Sequence, residues 1–238
     1  MALPKISHSL YKTTLPSNPK TEIIFRGFLA KEEKILLAAL QSQSPEQMAL
    51  ALEQILTNCI VSKINIPKLI SCDVEWLYLS IIMKSFGEEL NLSVLCSACK
   101  EEVPYVMQLN LIEQPKLIKR ANIIEVDTDM FLTLKYPTLA TLDSLDVINN
   151  PSSPPEEVLN ALANNIECVT HNDETFHIAD QTIEEIAEFF DSLSGKQMGM
   201  ITTFFANIPT VSEEIIFDCP NCNHHNIYSV RGLQQIFQ

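Results

Sequence analysis

Glycine is scarce in this sequence: Gly27, Gly87, Gly195, Gly199 and Gly232 are the only five in 238 residues. None falls in G-x-G-x-x-G or G-x-x-x-x-G-K-[ST], so both common phosphate-cradling loops are missing, and only a glycine-poor nucleotide site would remain open. Basic side chains are also few, 16 against 30 acidic, for a formal net charge of −14. Phosphate backbones attract basic grooves, so this balance argues against nucleic acid as a partner. Long apolar runs are lacking. The longest near the start, Ile35 to Leu40, falls far short of the roughly 20 residues that cross a bilayer, so no membrane partner is expected. The opening MALPKISHSLYK has no apolar stretch of the secretory kind, which makes the cytoplasm the expected place of action. No HExxH, nucleophile elbow or Ser-His-Asp arrangement is readable, so no catalytic residue is assigned and no enzyme is expected.

Hydrophobic residues are plentiful at 46% and charged ones make up 19%, enough apolar surface for a sizeable core. The fold class expected is α+β. Residues 1–30, with prolines at 4, 16 and 19 and no helical period, predict an extended N-terminal arm. Residues 1–40 hold six basic and three acidic side chains, so this end contrasts with the acidic remainder. Residues 31–88 predict a helical block. One helix covers 31–42. A second starts at Ser44-Pro45-Glu46-Gln47, with Ser as N-cap and Pro in the first turn. A third runs from Asp73 to Phe86 and stops at Gly87. Alternation then predicts strands over 89–110 and again over 211–231. The stretch between, 111–210, predicts an inserted acidic α+β segment. Its strands are expected at 123–126, 131–134, 168–170 and 175–178, and its helices at 139–147, 155–163, 181–193 and 198–205. Positions 136–195 carry twelve acidic side chains and no lysine or arginine. A solvated surface explains that, and so does a docking face for a basic partner, such as the arm of a neighbouring copy.

Four of the seven cysteines form two pairs, Cys96-Ser-Ala-Cys99 and Cys219-Pro-Asn-Cys222, each flanked by alternating strands. A CxxC at a hairpin tip aims both sulfurs at one point, and two such knuckles supply a tetrahedron of thiolates. The reading is a split zinc-ribbon-like module with Cys96, Cys99, Cys219 and Cys222 holding one structural Zn2+ per chain. Such a site is closed, with no open position for substrate. Iron is the alternative metal, and His224 or His225 an alternative fourth ligand. Metal-free or redox-active pairs compete with this, but a redox CxxC usually opens a helix, whereas strands follow both pairs here. The separation is unusual, since more than a hundred residues lie between the pairs and ribbon halves normally stand about 15–20 apart. Cys59 and Cys72 read as core thiols, and Trp76 reads as a core aromatic. Cys168 and His171 form a CxxH with no second pair to complete it.

Three stretches carry a family likeness. They are Leu3-Pro4-Lys5-Ile6; Arg26-Gly-Phe-Leu-Ala-Lys-Glu-Glu-Lys-Ile-Leu-Leu37; and Asp73-Val-Glu-Trp-Leu-Tyr-Leu79 continuing to Lys84-Ser-Phe-Gly87. Over residues 1–110 the chain resembles the T-even-type bacteriophage baseplate proteins, whose best-known member is a baseplate hub subunit. Arg26-Gly-Phe-Leu stands where that pattern reads RPFL. The resemblance implies a structural role in assembling a contractile tail, with other baseplate and tail proteins as partners. It places the chain in the host cytoplasm during assembly, and either in the finished virion or, as a transient assembly chaperone, absent from it. It brings no catalytic residues.

Overall fold

The computed structural model describes residues 6–42, 44–142, 144, 147–148, 150 and 152–236. The chain is α+β and divides into two compact units. One comprises Met1–Ile66, Cys72–Lys116 and Thr210–Gln238; the other comprises Pro67–Ser71 and Leu117–Pro209.

In the first unit, β1 (Leu10–Thr14) and β2 (Glu22–Arg26) form an antiparallel hairpin. The expectation of an extended arm is therefore corrected over these residues. The Glu-Ile-Ile-Phe-Arg run alternates as a half-buried strand, putting Ile23 and Phe25 in the core. Pro16 and Pro19 belong to the connection between the strands, where Asn18 N–H bonds Leu15 O and Thr21 N–H bonds Asn18 O. Prolines read as marks of an arm are turn residues here. Leu3, Pro4 and Lys5, which carry part of the family likeness, lie outside the described residues.

Helices α1 (Ala30–Ser42), α2 (Pro45–Cys59) and α3 (Ser71–Phe86) follow. The Ser44 hydroxyl accepts from Gln47 N–H at the start of α2, as the cap pattern predicts. Leu77, Leu79 and Ile81 of α3 are fully buried, and each contributes about 1.5–3 kcal/mol by leaving water. Gly87 takes φ of 105°, a left-handed stop that a side chain would strain. The unit ends in two more hairpins and a short helix. Strand β3 (Glu89–Leu95) pairs β4 (Glu102–Gln108), and β9 (Ser212–Asp218) pairs β10 (His225–Arg231). The helix, α7, covers Gly232–Ile236.

The second unit is built on an antiparallel sheet ordered β5 (Ile123–Asp127), β6 (Met130–Leu134), β7 (Ile166–His171), β8 (Glu174–His177). Asn172 and Asp173, with φ of 49° and 66°, make the tight turn between β7 and β8. Helices α4 (Pro155–Asn164), α5 (Ile183–Ser192) and α6 (Gly195–Ala206) surround a core that includes Leu132, Leu134, Leu162, Ile166, Ile201 and Phe205. Of the helix expected over 139–147, a 3-10 turn at Leu139–Thr141 is described; positions 143, 145 and 146 lie outside the described residues. Among the described residues no helix is long and apolar enough to cross a membrane.

Candidate metal centre

The two cysteine pairs occupy the tips of hairpins β3–β4 and β9–β10, and both knuckles close in the same way. Lys100 N–H bonds Cys96 O at 3.0 Å and Cys96 N–H bonds Glu101 O at 2.8 Å. In the second, Asn223 N–H bonds Cys219 O at 2.8 Å and Cys219 N–H bonds His224 O at 2.9 Å. The residue after each second cysteine must turn left-handed for this closure. Lys100 does so with φ of 63° and Asn223 with φ of 55°. These are positions where glycine would carry no steric cost, and asparagine tolerates the conformation better than lysine does.

The four Sγ atoms lie within 4.8 Å of one another. Cys96 and Cys222 approach to 3.6 Å, as do Cys99 and Cys219. Sulfurs around a tetrahedral zinc at about 2.3 Å would stand about 3.8 Å apart, so the spacing is compatible with one metal ion. Cys96 and Cys219 are buried, Cys99 is half-buried and Cys222 is exposed. His225 is outside the group; its Nδ1 lies 2.7 Å from Asp218 Oδ1.

The first knuckle favours thiolate. The backbone N–H of Cys99, then that of Ala98 and the Asn226 side chain, outweigh burial and bring the Cys96 thiol down to about 6. The backbone N–H of Glu101 leads the groups that lower Cys99. The Cys222 thiol is favoured as thiolate by His224 N–H, but desolvation and the sulfurs of Cys99, Cys96 and Cys219 push it up to about 12. Four negative sulfurs cannot share this space alone, and a divalent cation would remove the conflict.

Asn226, which the sequence reading passed over, braces the centre. It is buried on β10; its Oδ1 accepts from Ser97 N–H at 2.9 Å and Ser97 O–H at 2.8 Å. Its Nδ2 donates to His224 O at 2.9 Å and faces Cys96 Sγ at 3.6 Å. One side chain thereby ties both knuckles together. The available signal was parity: 226, 228 and 230 are the inward positions of β10, and a polar residue there needs partners. Phe217 stacks on Tyr228 with centroids 6.1 Å apart, and the Tyr228 hydroxyl donates to Leu95 O, joining the hairpins below the cysteines.

The described remaining cysteines are elsewhere. Cys59 and Cys72 are buried, and burial first of all pushes their thiols up to about 11 and about 12, as suits core residues. Cys168 is buried in β7 and joins no ligand group among the described residues.

A family model described as T4 bacteriophage base plate protein matches residues 8–238. The chain belongs to this family. No curated protein and no solved structure matches it. In this baseplate protein, two of the three stretches behind the resemblance act as structural fasteners. Arg26 forks onto Glu32, at 3.0 Å and 3.2 Å, and also donates to Asn58 O and Gly27 O. Glu32 is fully buried and accepts from Leu29 N–H at the start of α1. Burial alone would raise the Glu32 carboxyl, but the bonds from Arg26 and Leu29 hold it below the usual range. On α3, Asp73 accepts from Ser17 N–H and O–H, and Trp76 donates to Thr13 Oγ1 at 2.8 Å. Glu75 accepts from Val211 N–H at 3.0 Å and from the Thr210 hydroxyl. The Asp-Val-Glu-Trp motif thus fastens both the first hairpin and the start of β9 to one helix.

Proposed function

We propose that this chain is a structural, non-catalytic component of the baseplate hub that binds other baseplate proteins. The observation that carries the reading is the family match over residues 8–238. The closed four-cysteine group supports it, since four protein ligands leave no position for activated water or substrate. The metal proposed is zinc, one per chain, on Cys96, Cys99, Cys219 and Cys222. Tetrahedral four-thiolate sets serve zinc or iron. Zinc undergoes no redox change, which suits a centre with Cys222 open to solvent. A colourless protein containing one zinc by native mass spectrometry supports zinc; visible thiolate-to-iron absorption contradicts it.

As a metal, zinc would act through folding. It would hold residues more than a hundred positions apart in sequence inside one unit, with its binding free energy counted as folding free energy. The acidic stretch 136–195 is read as a surface that orients encounters with basic partners. Gradient sedimentation of an infected-cell lysate, with mass-spectrometric identification of each fraction, tests the functional reading. The chain should travel with baseplate-sized intermediates; all of it remaining as free monomer would count against the reading.

A further inference from the structure

Among the described residues, the sheet of the second unit has a free edge at β5, where the strand order ends. All five β5 residues, from both faces of the strand, line a cavity of about 710 Å3, so this cavity runs along the strand's edge and not over one face. Its opposite wall is the first turn and a half of α6: Lys196, Gln197 and Met200. A second cavity of about 680 Å3 shares Ile124, Lys196 and Met200 with the first and continues past Gly199, Thr203 and Ile118. Together they form one slot with an apolar floor. Ile118 and Ile123 stand open to solvent at its sides.

Among the described residues no strand pairs with the main chain of β5 on this side. Leu134 N–H bonds Asn122 O at 2.7 Å, which fixes the phase of the ladder with β6. Alternation then turns Ile123 and Glu125 outward. Ile123 N–H is taken by Arg120 O, and Val126 O is capped by the Gln197 side chain at 2.7 Å. The outward groups between these two points face the slot. An edge of this kind is a template for another strand. Residues 117–209 carry fifteen acidic against four basic side chains, so the surrounding field selects positive guests and disfavours a second copy docking edge to edge.

We propose that this slot is a docking site for an extended, net-basic segment of a different baseplate protein. The segment adds to β5 as a further strand and sends alternate apolar side chains toward Met200 and Ile124. Main-chain bonds supply affinity and the slot supplies side-chain selection. The proposal rests on the reading that the chain binds other baseplate proteins, and it names where.

The test uses the full chain and an array of overlapping peptides tiled across the other tail proteins of the same phage. Retained peptides should be net basic with alternating apolar residues, and hydrogen exchange should slow at residues 123–126 on binding. Gly199→Arg probes the slot without threatening the fold: nothing lies within 4 Å of a Cβ built there, and arginine favours helix over glycine. It should weaken retention at least tenfold. Lys196→Glu, at an exposed position, should strengthen it. Retention unchanged by Gly199→Arg, protection elsewhere than β5, retained peptides that are acidic, or no retained peptide would each overturn the proposal. Concentration-dependent self-association abolished by Gly199→Arg would overturn it in favour of a second copy. Complementation separates the two levels. If a phage lacking the gene still builds complete tails, the functional reading fails. If it does not, and the Gly199→Arg chain restores tails fully, only the slot assignment fails.

Discussion

Single side chains decide how firmly the four-cysteine group would hold its proposed metal. Cys96→Ser would remove a buried sulfur and leave three for the proposed ion. In a chain of this size each kcal/mol moves the melting temperature by about 2–4 °C, so a loss of about 3 kcal/mol should lower it by about 6–12 °C, with loss of bound metal by native mass spectrometry. Cys59→Ser, at a core thiol outside the group, should keep the metal. Asn226→Ala leaves all four ligands intact and removes their brace, and supporting residues of this kind typically change metal affinity about 10–100-fold. Competition with a chelator would measure it; unchanged affinity would show that the knuckles need no brace. Glu32→Gln leaves the Arg26 guanidinium short of its carboxylate in a buried place, a change that costs about 3–5 kcal/mol. The sign of its pH dependence follows from the depressed carboxyl. Its contribution is fully present above the ordinary value of 4.5 and is lost as pH falls toward the folded-state value. Asp73 and Glu75 run the other way. Burial raises both, so each costs stability as pH climbs from its ordinary value through its raised one. Melting curves against pH should therefore show an acid-side loss in the wild type that Glu32→Gln flattens.

At the scale of elements, the first hairpin is the feature that changes expectation most. With Ile23 and Phe25 buried and Ser17 and Thr13 fastened to α3, β1 and β2 belong to the core of their unit. Limited proteolysis should spare residues 10–26 as well as it spares α3, and Trp76→Phe, which deletes the bond to Thr13, should open that hairpin to cleavage first. The helices α1 to α3 were legible because their caps and periods are local: Ser44 before Pro45, Gly87 after Phe86. The two cysteine knuckles were legible for the same reason, each being written within a few residues. The hairpin was not, because proline reads the same in an arm and in a turn; only partners 56 and 63 positions away distinguish them. Asn226 and Glu75 were missed on similar grounds, since their partners Ser97 and Val211 are remote in sequence. The acidic helix α5 adds a refinement. Glu185 closes the capping box with Thr182, so reversing it would damage the helix start, whereas Glu184, Glu188 and Asp191 carry surface charge alone. Reversal of those three should slow association with basic partners while moving the melting temperature by only a degree or two, as exposed charges contribute little to folding.

At the scale of the whole molecule, the chain belongs to the baseplate family, and the proposed role gives its four-cysteine group a structural part and its surfaces the contacts. The family assignment spans both compact units, and within the first the four cysteines join segments far apart in sequence. The split of the chain into these units was only partly readable. Composition marked the acidic middle, but nothing local shows that 67–71 pairs with it: that rests on bonds such as Leu139 N–H to Leu69 O. The most direct test of the central claim is electron microscopy of lysates from phage lacking this gene, with and without the chain supplied in trans. Intact heads and tails stalled at the baseplate are expected, with complete tails restored by the wild-type chain. Normal, infectious tails in the uncomplemented lysate would contradict that claim.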